Sequence, residues 1–217
     1  ILYEQQINRF KIQALQAMMN PHFVFNSLNA IQQQVNLGNT DKARTYLSRF
    51  AQLLRMNLQT VNSDFVPLDE ELERIKLYLE TEKIRLEEKL SYNISKSEKV
   101  PDDILIPSMI IQPFVENSIW HGIMPSEKNG TVKISIDKKS EQLIIEIEDD
   151  GIGVEASKAN RKSDAKSEHY GIKLISDRLK TISENLKQDC SVELLDKTNS
   201  NFSGTIVKIK LPFLLDE

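Results

Sequence analysis

Apolar or small residues recur at Ile7, Phe10, Ala14, Ala17, Pro21, Val24, Leu28, Ile31 and Val35, at spacings that alternate between three and four without a break. Only a helix gathers such a series into one stripe, so residues 1–37 are expected to form a helix packed against other helices. Gly38 ends it. Asn39, Thr40 and Asp41 then offer N-cap chemistry for a second helix. Its apolar positions are Ala43, Leu47, Phe50, Leu54 and Val61, with Tyr46, Leu53 and Leu58 widening the face. So short a break makes the two helices antiparallel. Two helices cannot enclose a core. Either two copies of the hairpin form a four-helix bundle in a homodimer, or both helices pack on the rest of their own chain; the long stripes favour the homodimer.

His22 stands one residue past a seam position, turned about 100° from it. It is expected on the flank, within reach of a partner. Asn26 follows at i+4 and shares that face. Pro21 removes one intrahelical hydrogen bond and is expected to kink the helix. A lone histidine in a helix is usually a packing or surface residue, and spacing alone would leave it so. Its neighbours change the reading. Pro21-His22-Phe23 followed by Phe25-Asn26-Ser27-Leu28-Asn29 resembles the phospho-acceptor box of the LytS-type sensor histidine kinases.

The formal net charge of -4, with no basic stripe, argues against direct nucleic-acid binding. Cys190 is the only cysteine, so no intrachain disulfide forms and a reducing compartment fits. The most apolar run, Ile104 to Val115, is too short to span a bilayer and carries Pro107 and Pro113. The sequence opens at Ile1 in mid-pattern, as expected of a fragment. The resemblance implies an upstream sensor, which would make this the cytoplasmic portion of a membrane-anchored bacterial protein.

Val61 to Pro67 is polar, lacks periodicity and ends in proline, which divides the chain into residues 1–63 and 64–217. A third helix is expected over 68–90, with Asp69, Glu70 and Glu71 in its first turn and Leu72, Ile75, Leu79, Leu86 and Leu90 inward. Period-two runs at Val132, Ile134, Ile136 and at Leu143, Ile145, Ile147 give a β-hairpin. Further strands fall at Tyr92 to Lys96, Ser191 to Asp196 and Thr205 to Leu211, and helices at Ser108 to Ile123 and Gly171 to Lys187. The polar stretch Glu155 to Glu168 has no pattern and reads as a mobile loop. Helices on one face of a mixed sheet make an α/β sandwich, so the fold class is α plus α/β: a helical-hairpin domain followed by that sandwich.

Three constellations carry chemistry. Asn117 and His121 lie four apart on one helix with Glu116 beside them, a set suited to hydrated Mg²⁺ and polyphosphate, or else a polar face turned to water. Asp149-Asp150-Gly151-Ile152-Gly153 follows a strand. The glycines permit a sharp turn and close approach of a ligand, and the carboxylate can accept an adenine amino group; the alternative is an ordinary acidic turn. Tyr170-Gly171-Ile172 opens a predicted helix, whose N-terminus favours phosphate. No G-x-x-x-x-G-K-[ST] is present.

In this order and spacing the three resemble the N, G1 and G2 boxes of the GHKL (Bergerat-type) ATPase superfamily, to which histidine kinase catalytic domains belong. The resemblance implies ATP and Mg²⁺ as ligands, with Asn117 on the metal and His121 near the phosphates. It implies adenine recognition by Asp149 helped by Gly151 and Gly153, phosphate binding by Gly171, and a nucleotide lid over Glu155 to Tyr170. His169 stands where the second box usually has a glycine, and Phe23 where many histidine kinases carry an acidic residue. The function implied is autophosphorylation of His22 and transfer to an aspartate of a response regulator, often of the LytTR kind. Glu116 is the candidate for orienting or deprotonating the imidazole, and Asn26 for fixing its ring. The rival readings are a GHKL ATPase or serine kinase, and a dimeric scaffold that binds ATP without transfer.

Overall fold

In the computed structural model the chain is described at residues 21–60, 63–160, 165–197, 203–212 and 214–215; the side chains of 21, 22, 158, 160 and 165–174 fall outside that description. Helix α1 spans Pro21–Asn36 and α2 spans Thr40–Thr60. The seam positions Ile7 to Ala17, and Val61, lie outside the described residues. Gly38, at φ +75°, ends α1 in a Schellman turn: Asn39 N–H donates to the Gln34 carbonyl at 2.9 Å and Gly38 N–H to Val35 at 3.0 Å.

The row that α1 buries within this chain differs from the seam expected to meet a second copy. Phe23 and Ser27 point inward, Val24 and Ile31 are half-buried, and Leu28 and Val35 are exposed. On α2 the inward row is Ala43, Tyr46, Phe50, Leu53 and Asn57, while Leu47 and Leu58 remain exposed. The reason is α3, Leu68–Leu86, which packs against the hairpin. The Phe23 ring sits 5.8 Å from Phe50 and 5.4 Å from Tyr78 of α3. Thus one stripe of the hairpin is buried within the chain and the other, with Phe25 and Leu37, stays open.

Helix α3 stops at Leu86, four residues short of the expected end, where a 3₁₀ turn over Glu87–Lys89 leads into β2 (Leu90–Lys96). Short strands β1 (Phe65–Pro67) and β3 (Leu105–Pro107) pair antiparallel beside it. Helix α4 begins at Gln112 rather than Ser108 and runs to Asn117, continuing as a π-helical stretch over Ser118–Ile123. Pro113 in its first turn favours that start. Then come β4 (Gly130–Lys139), β5 (Gln142–Asp149), α5 (Val154–Asn160), α6 (Ala165–Leu186), β6 (Ser191–Asp196) and β7 (Thr205–Pro212). The sheet order is β2-β4-β5-β7-β6, with β2 and β4 parallel and the other pairs antiparallel.

One face of this mixed sheet is apolar: Val132, Ile134, Ile136, Leu143, Ile145, Ile147, Val207, Ile209 and Leu211 are all buried. The other carries cross-strand ion pairs, Lys208 with Glu146 at 2.6 Å and Lys210 with Glu193 at 3.1 Å. Exposed pairs of this kind contribute little. The fold is the expected one, a helical hairpin followed by a two-layer α/β unit.

The sequence reading missed the ion pairs buried on α3. Arg74 and Glu71 pair with almost no exposure. Arg74 Nη1 also donates to Gln112 Oε1 at 3.0 Å and to Asn57 Oδ1 at 3.4 Å, and Glu71 accepts the Met109 N–H at 3.3 Å. Helix α3 thereby ties α2 to the start of α4. Arg74→Met strands the Glu71 carboxylate in the interior and should cost about 3–5 kcal/mol in urea unfolding. Adding Glu71→Gln, which removes the charge but still accepts from Met109, should recover part of that loss.

Candidate functional site

Asp149 ends β5 on the same face as Leu143, Ile145 and Ile147, so strand alternation drives its carboxylate into the interior, where it is 2 % exposed. Gly151 N–H donates to its Oδ1 at 3.0 Å, and the Ser118 hydroxyl and the Thr205 N–H bond it as well. One carboxylate therefore joins the turn after β5, the π stretch and the start of β7. Burial lifts its pKa to about 6, the adjacent Asp150 adds to the rise, and the three hydrogen bonds oppose it.

The turn and the helix meet backbone to backbone. A Cβ on Gly151 would lie 2.3 Å from the Gly122 carbonyl carbon, and one on Gly122 would lie 2.8 Å from Asp149 Oδ1. Ile152 N–H donates to the Gly122 carbonyl at 3.0 Å. Gly153 adopts φ +81°, and its carbonyl accepts from Ser157 N–H at 3.1 Å as α5 begins. The structure thus brings together two segments that are distant in sequence: the one bearing Asn117 and His121, both half-buried, and the one bearing Asp149, Gly151 and Gly153. The π stretch, in which Met124 N–H bonds the Ile119 carbonyl at 2.8 Å, widens the turn.

Glu116 is engaged toward α3. Gln112 Nε2 donates to its Oε1 at 2.8 Å, and its charge reaches the Tyr78 phenol, whose pKa is raised chiefly by burial. His22 lies in α1 with its side chain outside the description, and Asn26 is half-buried on the same helix. Gly171 does not open a helix. It sits inside α6, which begins at Ala165 and also contains His169. Part of the expected patternless loop is likewise helical, as α5. Ala156 and Ala159 favour that helix, and Ala165 and Lys166 extend α6 past the glycine, whose cost of about 1 kcal/mol in a helix interior does not break it. Residues 161–164 lie outside the described residues.

Ser118, Gly122 and Gln112 were not picked out by sequence reasoning. A glycine within a helical pattern was the available signal for Gly122.

A mixed sheet with helices on one face, a buried carboxylate at a strand end and a glycine turn packed under an Asn/His helix define a two-layer ATP-binding domain. The comparisons agree. The family "Histidine kinase-, DNA gyrase B-, and HSP90-like ATPase" matches residues 102–215, more than half of the chain, and the family "Histidine kinase" matches residues 10–90. The chain belongs to the histidine kinase-, DNA gyrase B- and HSP90-like ATPase family. It is 36% identical to the sensor histidine kinase YpdA of Escherichia coli over 151 residues, 70% of this chain and 26% of that protein. It is 37% identical to the sensor protein LytS of Oceanobacillus iheyensis over 145 residues, 67% of this chain and 24% of that protein. The chain thus spans about a quarter of the length of these curated relatives. Among solved structures, the histidine kinase domain of the blue-light activated histidine kinase from Erythrobacter litoralis aligns with a TM-score of 0.49 at 14% identity, covering 96% of this chain and 95% of that one.

Because the folded pKa of Asp149 lies above its unfolded value, its ionisation opposes folding at neutral pH and above. Asp149→Asn should therefore be more stable than the native chain by up to about 3 kcal/mol near pH 8. The gap should close as pH falls through about 6 toward 4. Urea unfolding at both ends of that range checks it.

Proposed function

We propose that this chain is the kinase core of a sensor histidine kinase. It moves the γ-phosphoryl group of ATP to His22, and from there to an aspartate of a response regulator of the LytTR kind. The observation that carries the reading is the packing of the Asp149–Gly151 turn directly beneath Gly122, on the helix that bears Asn117 and His121. In this reading residues 1–63 are the phospho-acceptor hairpin and residues 64–217 the ATP-binding domain.

Asp149, ionised, accepts the adenine amino group, while Gly151 and Gly153 let the ring approach the backbone. His121 lies near the phosphates, and Gly171, inside α6, joins them through its motif. Magnesium, when bound, neutralises the polyphosphate, and Asn117 is its candidate protein ligand. Among the described residues no cluster of three His, Cys, Asp or Glu could cage a metal. That suits an ion which keeps most of its waters.

The rate comes from positioning and charge neutralisation. The attacking imidazole nitrogen of His22 must carry no proton for the step to proceed. Glu116, which accepts a hydrogen bond from Gln112, is the candidate to orient the imidazole or take its proton, and Asn26, at i+4, the candidate to fix the ring. The exposed stripe of Leu28, Val35, Leu47 and Leu58 supports a homodimer that covers it in a four-helix bundle. An upstream sensor would anchor the whole protein to the membrane, with this portion in the cytoplasm.

Incubated with γ-labelled ATP and Mg²⁺, the protein should take up label that is acid-labile and base-stable, and both His22→Gln and Asp149→Asn should abolish it. Nucleotide binding without label would favour the scaffold. Acid-stable label would mean serine or threonine transfer.

A further inference from the structure

Arg178 belongs to none of the three boxes, yet it reaches across the fold. It lies in α6, seven residues past Gly171. Seven residues make about two turns, so the two positions share one side of the helix. Ile175 and Leu179, on that same side, are buried, which makes it the inward one. Arg178 Nη1 donates to the Ser108 carbonyl at 2.6 Å. Its Nη2 donates to the Ser108 hydroxyl at 3.1 Å and to the Asp64 carbonyl at 3.0 Å. The charges of Asp64 and Glu71 lie within reach of the guanidinium. A rigid planar fork that donates to two main-chain carbonyls holds backbone in place.

The backbone it holds is the turn that delivers α4. Strand β3 ends at Pro107 and α4 starts at Gln112, so residues 108–111 join them. Ser108 N–H donates to the same Asp64 carbonyl at 3.0 Å, which carries the β1–β3 pairing one step further. Met109 then stands at φ +60°, a left-handed backbone that a residue other than glycine keeps only where its surroundings impose it. Two elements impose it. From α3, Glu71 accepts the Met109 N–H at 3.3 Å and the Ile111 N–H at 3.5 Å. From α6, Arg178 grips the residue before. Asn117 is the last residue of the helix that follows. The start of the helix bearing Asn117 is thus tied by one guanidinium to the helix bearing Gly171.

We infer that Arg178 is a positioning residue of the nucleotide site. It fixes the span between α4 and α6, and so between Asn117, the candidate magnesium ligand, and Gly171, the candidate phosphate contact. This rests on the nucleotide site in the reading above. Arg178 acts through the turn at Ser108 and not on the reacting atoms. The adenine end is fixed by separate bonds, those that Gly151, Ser118 and Thr205 make to Asp149. Loosening the span therefore weakens the hold on the phosphates and spares the hold on the base.

The test titrates the chain with two ligands. A non-hydrolysable ATP analogue with Mg²⁺, followed by calorimetry, engages both ends of the site. Adenosine, followed by NMR, engages the adenine end alone. Arg178→Met should weaken the analogue about tenfold and leave adenosine within about twofold. Arg178→Lys keeps the charge but lacks the fork, so it should show the same selective loss in smaller measure. That variant carries the test if Arg178→Met does not fold. Equal losses for both ligands, with a matching drop in the urea midpoint, would reduce Arg178 to a support of the fold and overturn the inference. An unchanged analogue affinity would overturn it too. A native chain that binds neither ligand would instead sink the nucleotide reading, and the inference with it.

Discussion

The site depends on one contact: the buried carboxylate of Asp149 lying against the backbone of Gly122, with Gly151 closing over it. A Cβ at either glycine would enter space already filled by the carboxylate or the peptide. The contact welds a strand end to a helix, and so fixes where Asn117 and His121 stand relative to the turn. It also sets the chemistry. Desolvation raises the pKa of Asp149 to about 6, while donors from Gly151, Ser118 and Thr205 keep the charge tolerable. A carboxylate so placed is costly for folding, and a buried group perturbed in this way is a candidate functional residue.

Helix α3 is the second constraint. It is at once the cover of the sheet and the dock of the hairpin. Its ion pairs lie where water cannot screen them, and Arg74 reaches both Asn57 of α2 and Gln112 of α4. Gln112 holds Glu116. A displacement of the hairpin therefore has a polar path to the helix beside the nucleotide site, as well as the aromatic path through Phe23 and Tyr78. Tight packing makes such contacts switch between arrangements rather than bend smoothly.

Much of this was legible in the sequence. Alternation placed β4 and β5, because period two is a strong signal in strands with one solvated side; that β5 runs on to Asp149 and buries it came from the structure. Gly38 marked the end of α1 for a reason local to it. The row that α1 buries within its own chain was not foreseen, since Phe23 and Ser27 are chosen by α3, which no pattern within α1 reveals. The π stretch over Ser118–Ile123 and the buried pairing of Glu71 with Arg74 were equally hidden. A charged residue at i+3 from another reads as a surface pair unless the tertiary neighbours are known. The helix around Gly171 was cut short by giving glycine too much weight as a starting signal.

The central claim is that an ionised Asp149 at this contact recognises the nucleotide. The affinity of the purified chain for a non-hydrolysable ATP analogue, measured by calorimetry across about pH 5 to 8, tests it most directly. The account predicts constant affinity above about pH 6.5, a fall approaching tenfold per pH unit below about 6, and weak binding without that inflection in Asp149→Asn. A flat profile in the native chain, with Asp149→Asn binding equally well, would contradict it.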